Sequence, residues 1–175
     1  MFKNDEKFSK AHPITSKVED TEIFFHGTSS KRFLSMQSSG FLKRSVSDSE
    51  NYTVSQAGTI CFERYIESCK RIIDENMRRF CEAACNNEND GSTEGVILKI
   101  TGRNLKRLGC PIYADWNYGF SHKRDSQWLP FDVDYSGLGV TSIIVTDCDI
   151  PIEYLELAKR IPITLKSKDR AEKRI

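Results

Sequence analysis

No stretch of this 175-residue chain approaches the ~18 consecutive apolar residues that a membrane-spanning helix requires. The start Met1-Phe2-Lys3-Asn4-Asp5-Glu6 also lacks the apolar core of a secretory signal. The expectation is a soluble, cytoplasmic protein with no membrane partner, signal-less export being left open. An excess of one charge is equally missing. Lys and Arg number 26 against 25 Asp and Glu, so the whole molecule has no general attraction to nucleic acid or to a membrane. The six cysteines (Cys61, Cys69, Cys81, Cys85, Cys110 and Cys148) form no Cys-x-x-Cys pair, and no histidine stands at a finger-like spacing. That removes the common zinc frameworks and leads us to expect no metal and six free thiols in a reducing compartment. There is no Walker phosphate loop, no Gly-x-Gly-x-x-Gly and no Gly-x-Ser-x-Gly elbow, which withdraws support from several large enzyme classes.

What the chain does contain is enough for one domain: 38% hydrophobic and 10% aromatic residues supply a core at this length. Residues 1–20 are polar and read as a flexible or loosely docked lead-in, 21–162 as the domain, and 163–175 as a basic, solvated tail. Glu22 to Phe25 is bulky and β-branched, which suits a buried strand ending at His26. Gly27 then permits positive φ or a close approach of ligand to backbone. Thr28, Ser29 and Ser30 are natural N-cap residues for a helix over Lys31–Ser38, with Phe33, Leu34 and Met36 on its apolar side and Gly40 as its stop. His26 would then stand between a strand end and a helix N-terminus. There it either serves a ribose hydroxyl or pyrophosphate, or is satisfied by a neighbouring carbonyl.

Further along, 43–56 is a polar loop, Gly58–Phe62 a short buried strand, and Glu63–Cys85 a long helix. Along that helix Ile66, Cys69, Ile73, Met77, Phe80 and Ala84 recur at three- and four-residue steps. Its Arg71, Arg78 and Arg79 read as a solvated face. Gly95–Ile100 is an interior strand, Asn104–Leu108 a helical turn, and Ala114–Phe120 an aromatic cluster best explained by packing. Val140–Thr146 is strongly β-like, and Asp149–Leu155 fits a capped helix start with a proline in its first turn. Four or five short strands with two or three helices and no regular β-α-β alternation predict the α+β class.

Taken in order, Phe25-His26-Gly27-Thr28-Ser29, Gly40-Phe41-Leu42, Gly58-Thr59-Ile60-Cys61-Phe62 before a long helix, and Val96-Ile97-Leu98-Lys99-Ile100 resemble the ADP-ribosyltransferase fold. The branch is that of diphtheria toxin and the poly(ADP-ribose) polymerases, and Asp149-Ile150-Pro151-Ile152 resembles the closing segment of its small bacterial and phage-related members. The resemblance implies a split β-sheet of short strands with flanking helices. It also implies NAD as substrate, bound through His26, Gly27, Thr28 and Ser29, with ADP-ribose passed to a protein or nucleic-acid acceptor, as a toxin or effector does.

The chain departs from that pattern in two places. Where the family carries a tyrosine stacked on nicotinamide, this chain has Ile60, with Tyr65 the nearest tyrosine. Where it carries a catalytic glutamate on a late strand, this chain has Val140, Thr141 and Ser142. Asp115 and Ser142 are the candidate substitutes, with Asp134 a further acid in reach by chain order. A hydroxyl brings no charge to an oxocarbenium-like centre, so the alternative is a catalytically eroded module that binds an ADP-ribose-like ligand or a partner protein.

Overall fold

The computed structural model describes residues 13–44, 60–86, 90–114 and 143–165. Along them run β1 (Ile23–Ser29), α1 (Ser30–Ser39), β2 (Phe41–Leu42), β3 (Ile60–Arg64), α2 (Lys70–Cys85), β4 (Glu94–Thr101), α3 (Gly102–Arg107), β5 (Ile112–Ala114), β6 (Ile143–Thr146), β7 (Ile150–Pro151) and β8 (Glu156–Pro162). The class is α+β, as composition and spacing predicted. Among the described residues six strands hydrogen-bond in the order β5-β6-β3-β1-β4-β8, every neighbouring pair antiparallel, and β2 and β7 form a separate ribbon.

The six-stranded sheet has two unequal seams. β1 is in register with β4 at seven positions, from Ile23↔Thr101 to Ser29↔Gly95, but with β3 at only two, Phe24↔Arg64 and Phe25↔Glu63. β3 in turn pairs with β6 along Ile60–Glu63. Two three-stranded halves, β8-β4-β1 and β3-β6-β5, therefore meet at a narrow join. The strand expected to stop at His26 continues to Ser29. The cause is β4, which satisfies the backbone groups of Gly27, Thr28 and Ser29 in spite of their modest strand propensity.

α1 follows as expected. Ser29 Oγ accepts from the Arg32 amide at its N-terminus, and Gly40 closes it in the left-handed region with φ 79°. Phe33 and Met36 are buried, whereas Leu34, assigned by sequence to the same apolar side, is 61% exposed. α2 begins at Lys70, not Glu63: Glu63 and Arg64 belong to β3, and a single tight turn at Glu67–Cys69 leads into the helix. Its buried stripe is Ile73, Met77, Cys81, Ala84 and Cys85.

Each face of the sheet has its own core. α2 covers one face, bringing Ile73, Met77, Cys81 and Cys85 against Ile97, Ile161 and Phe25. The opposite face presents Phe24, Phe62, Val96, Leu98 and Ile100 to Phe33, Met36, Leu42 and Leu105. Gly27 and Gly95 are where α2 comes nearest the sheet. A Cβ at Gly27 would stand 2.9 Å from Phe80 Cβ, and one at Gly95 2.5 Å from Cys81 Cβ.

Three further expectations change. The helix foreseen after Asp149 is a two-residue strand and one turn, Ile152–Tyr154, before β8. Phe41 and Leu42 recruit Pro151 and Ile150 as a ladder, and the outer edge of β4 takes 156–162 as its neighbour. In the polar lead-in, residues from Pro13 onward are docked: Ile14 donates its amide to Ile112 O at 2.7 Å, and Val18 is buried. At the other end, Ile163 donates its amide to Thr93 O at 2.8 Å, while 166–175 lie outside the described residues.

The cysteines are not all free. Cys110 and Cys148 form a disulfide with Cα atoms 6.0 Å apart, leaving Cys61, Cys69, Cys81 and Cys85 as thiols. The reason is register. β5 and β6 align Ile112↔Thr146 and Tyr113↔Val145, and the same alignment two residues further out sets Cys110 opposite Cys148, within the reach of a bridge.

Candidate functional site

The narrow join between the half-sheets is the structural setting of His26. Paired register with β3 reaches Phe25, and one residue later the His26 ring lies where the two strands part. A carbonyl can only accept, so Nδ1 donates its proton to Cys61 O at 3.0 Å. The ring also tilts against Phe62, centroids 5.6 Å apart at 55°. Burial lowers the pKa of His26, the Cys61 hydrogen bond works against that shift, and the Arg32 guanidinium adds to it. The result is a neutral imidazole with Nδ1–H held and Nε2 carrying the lone pair. Of the two sequence readings of this histidine, satisfaction by a neighbouring carbonyl holds at Nδ1, and Nε2 keeps a lone pair that can accept from a hydroxyl or amide.

The structure joins only some of the other candidates to His26. Alternation along β1 and β3 puts His26, Thr28, Ile60 and Phe62 on the same face as Phe24, where the Phe62 ring meets the imidazole. Thr28 is 2% and Ile60 3% exposed, so both are buried in the core. Tyr65 lies on the other face, edge-on to Phe25 with centroids 5.6 Å apart and its hydroxyl donating to Glu67. It does not join His26. Gly27 is not among the positive-φ glycines, and the group that approaches its Cα is α2 rather than a ligand. Asp115, Asp134, Val140, Thr141 and Ser142 lie outside the described residues, as do 45–56 of the expected loop and Gly58 and Thr59 of the expected strand.

Ser29 and the N-terminus of α1, expected to face phosphate, hold an internal carboxylate. Ser29 Oγ donates to Asp90 Oδ2, whose other oxygen accepts from the Ser92 amide at 2.9 Å, and Arg32 Nε lies 3.9 Å from the same carboxylate. The Lys31 amide donates to Ser92 Oγ at 3.3 Å. Asp90 thus supplies the negative charge that a helix N-terminus favours.

Sequence reasoning also missed Glu63 and Asn76. Glu63 is 1% exposed on the α2 side of β3, and Asn76 Nδ2 donates to its Oε1 at 2.8 Å. Strand alternation in Ile60-Cys61-Phe62-Glu63 was the available signal: it places Glu63 on the face opposite Ile60 and Phe62. On β6, Thr146 is 1% exposed and its hydroxyl has no hydrogen-bond partner among the described residues. Among the described residues no group of three or more His, Cys, Asp or Glu could hold a metal ion. Set against family models, curated proteins and solved structures, the chain gives no match.

Proposed function

We propose that this chain is an ADP-ribosyltransferase-like domain that takes NAD at the parting of β1 and β3 and moves ADP-ribose to a protein or nucleic-acid acceptor. One observation carries the reading. His26 sits where the half-sheets separate, its Nδ1 bonded to Cys61 O at 3.0 Å, so that a fixed, neutral ring turns Nε2 toward a ribose hydroxyl or carboxamide. In the transfer, the bond from ribose C1′ to nicotinamide breaks, nicotinamide departs with that electron pair, and an acceptor nucleophile bonds C1′ and gives up its proton. His26 would orient the substrate. Asp115 or Ser142 would assist departure, with the charge argument favouring Asp115.

A second reading, the same fold holding an ADP-ribose-like ligand or a protein partner without transfer, is favoured by Ile60. The position expected to stack on nicotinamide is a buried aliphatic, and Tyr65 packs on the opposite face. Incubating the protein with labelled NAD and a cell lysate, beside His26→Ala shown folded by its melting curve, separates the two. Transfer falling about a hundredfold in His26→Ala supports the enzyme. No label transfer and no nicotinamide release from either form removes it. Calorimetric heat with NAD or ADP-ribose but no transfer supports the binding module, and absence of heat with both ends each nucleotide reading.

A further inference from the structure

We infer that the Cys110–Cys148 bridge is a reversible thiol–disulfide clamp that governs how firmly β5, and Ile14 and Thr15 bonded to it, hold to the sheet. Among the described residues β5 is a margin strand with one sheet neighbour, paired to β6 at three positions. At the other margin, β8 pairs with β4 at six positions and carries no bridge. β5 in turn anchors the N-terminal segment: Ile14 donates its amide to Ile112 O at 2.7 Å, and Thr15 Oγ1 accepts from the Ile112 amide at 3.0 Å. A crosslink just outside the short ladder therefore secures two elements at once.

The position also suits reversibility. Cys110 and Cys148 are partly exposed, so a small thiol can reach them, whereas Cys69, Cys81 and Cys85 are buried. A dithiol attacks one sulfur to give a mixed disulfide, then closes on itself. The protein gains two thiols and the reductant leaves as a cyclic disulfide. The opposed register of β5 and β6 keeps the two thiols facing each other, so a disulfide oxidant such as glutathione disulfide can restore the bridge.

The test compares amide hydrogen exchange of protein oxidised with glutathione disulfide and of protein reduced with dithiothreitol, beside the double variant Cys110→Ser, Cys148→Ser. Reduction is expected to speed exchange at the Ile14 and Ile112 amides about tenfold or more, with the β1–β4 ladder unchanged. The double variant should show the reduced pattern under both conditions. A bridge that resists dithiothreitol in the folded protein overturns the inference, and so does equal exchange in the two forms. A rise spread through β1 and β4 also overturns it, because the bridge would then staple the whole fold. Should the double variant fail to fold, the oxidised and reduced wild-type proteins decide.

Discussion

At the scale of single residues, the backbone behind His26 is set by the absence of a side chain. Gly27 leaves α2 room to lie with Phe80 Cβ 2.9 Å and Met77 O 3.1 Å from where a Cβ would be. Gly27→Ala must move the helix or the strand, and overpacking of this kind costs about 1–3 kcal/mol. Urea denaturation should show a lower midpoint, and an unchanged one would mean that α2 yields freely. Thr146 makes the opposite case. Its buried hydroxyl lacks a partner among the described residues, so Thr146→Val relieves an uncompensated polar group and should leave stability unchanged or raise it by about 1 kcal/mol. Asn76→Ala should lower stability by about 1–3 kcal/mol, because it removes a donor from the buried Glu63 carboxylate. Thermal melting should separate the two, with Asn76→Ala falling below the wild type and Thr146→Val holding or rising.

At the scale of elements, the buried face of α2 fixes the chemistry of its cysteines. Burial pushes the Cys81 thiol up to about 12 and the Cys85 thiol up to about 11, so neither supplies thiolate at neutral pH. Iodoacetamide on the native protein should label the partly exposed Cys61 before Cys69, Cys81 or Cys85, as read by peptide mass spectrometry. The same helix shows what sequence could reveal. Its three- and four-step apolar spacing made it visible, and the Ser29 cap and Gly40 stop of α1 and the Val96-Ile97-Leu98 run of β4 did the same for those elements. Periodicity and end signals are local, and these elements were legible for that reason. The end of β1, the strand character of Glu63 and the extension of 156–162 depend on partners far along the chain. The Cys110–Cys148 bridge depends on the β5–β6 register. In the candidate site His26 was legible as a residue, but its Cys61 partner comes from 35 positions along the chain, and the Asp90 carboxylate under α1 from 61 positions beyond Ser29.

At the scale of the whole molecule, His26 makes stability depend on pH. Its folded pKa lies below the ~6.5 of an unfolded chain, so the unfolded state takes up the proton first as pH falls. Stability from the neutral ring is present above that value and declines below it. The melting temperature should fall more steeply between neutral pH and the mildly acid range in the wild type than in His26→Gln. Parallel slopes would show that the ring titrates alike in both states. The join that houses His26 is only two register pairs wide, and its geometry is held from the reverse side of the sheet. Bulk added at Met77, Phe80 or Gly27 pushes on β1 one peptide away from the imidazole. Substitutions on the concealed side of α2 should therefore reposition the imidazole as surely as substitutions among the residues around the ring.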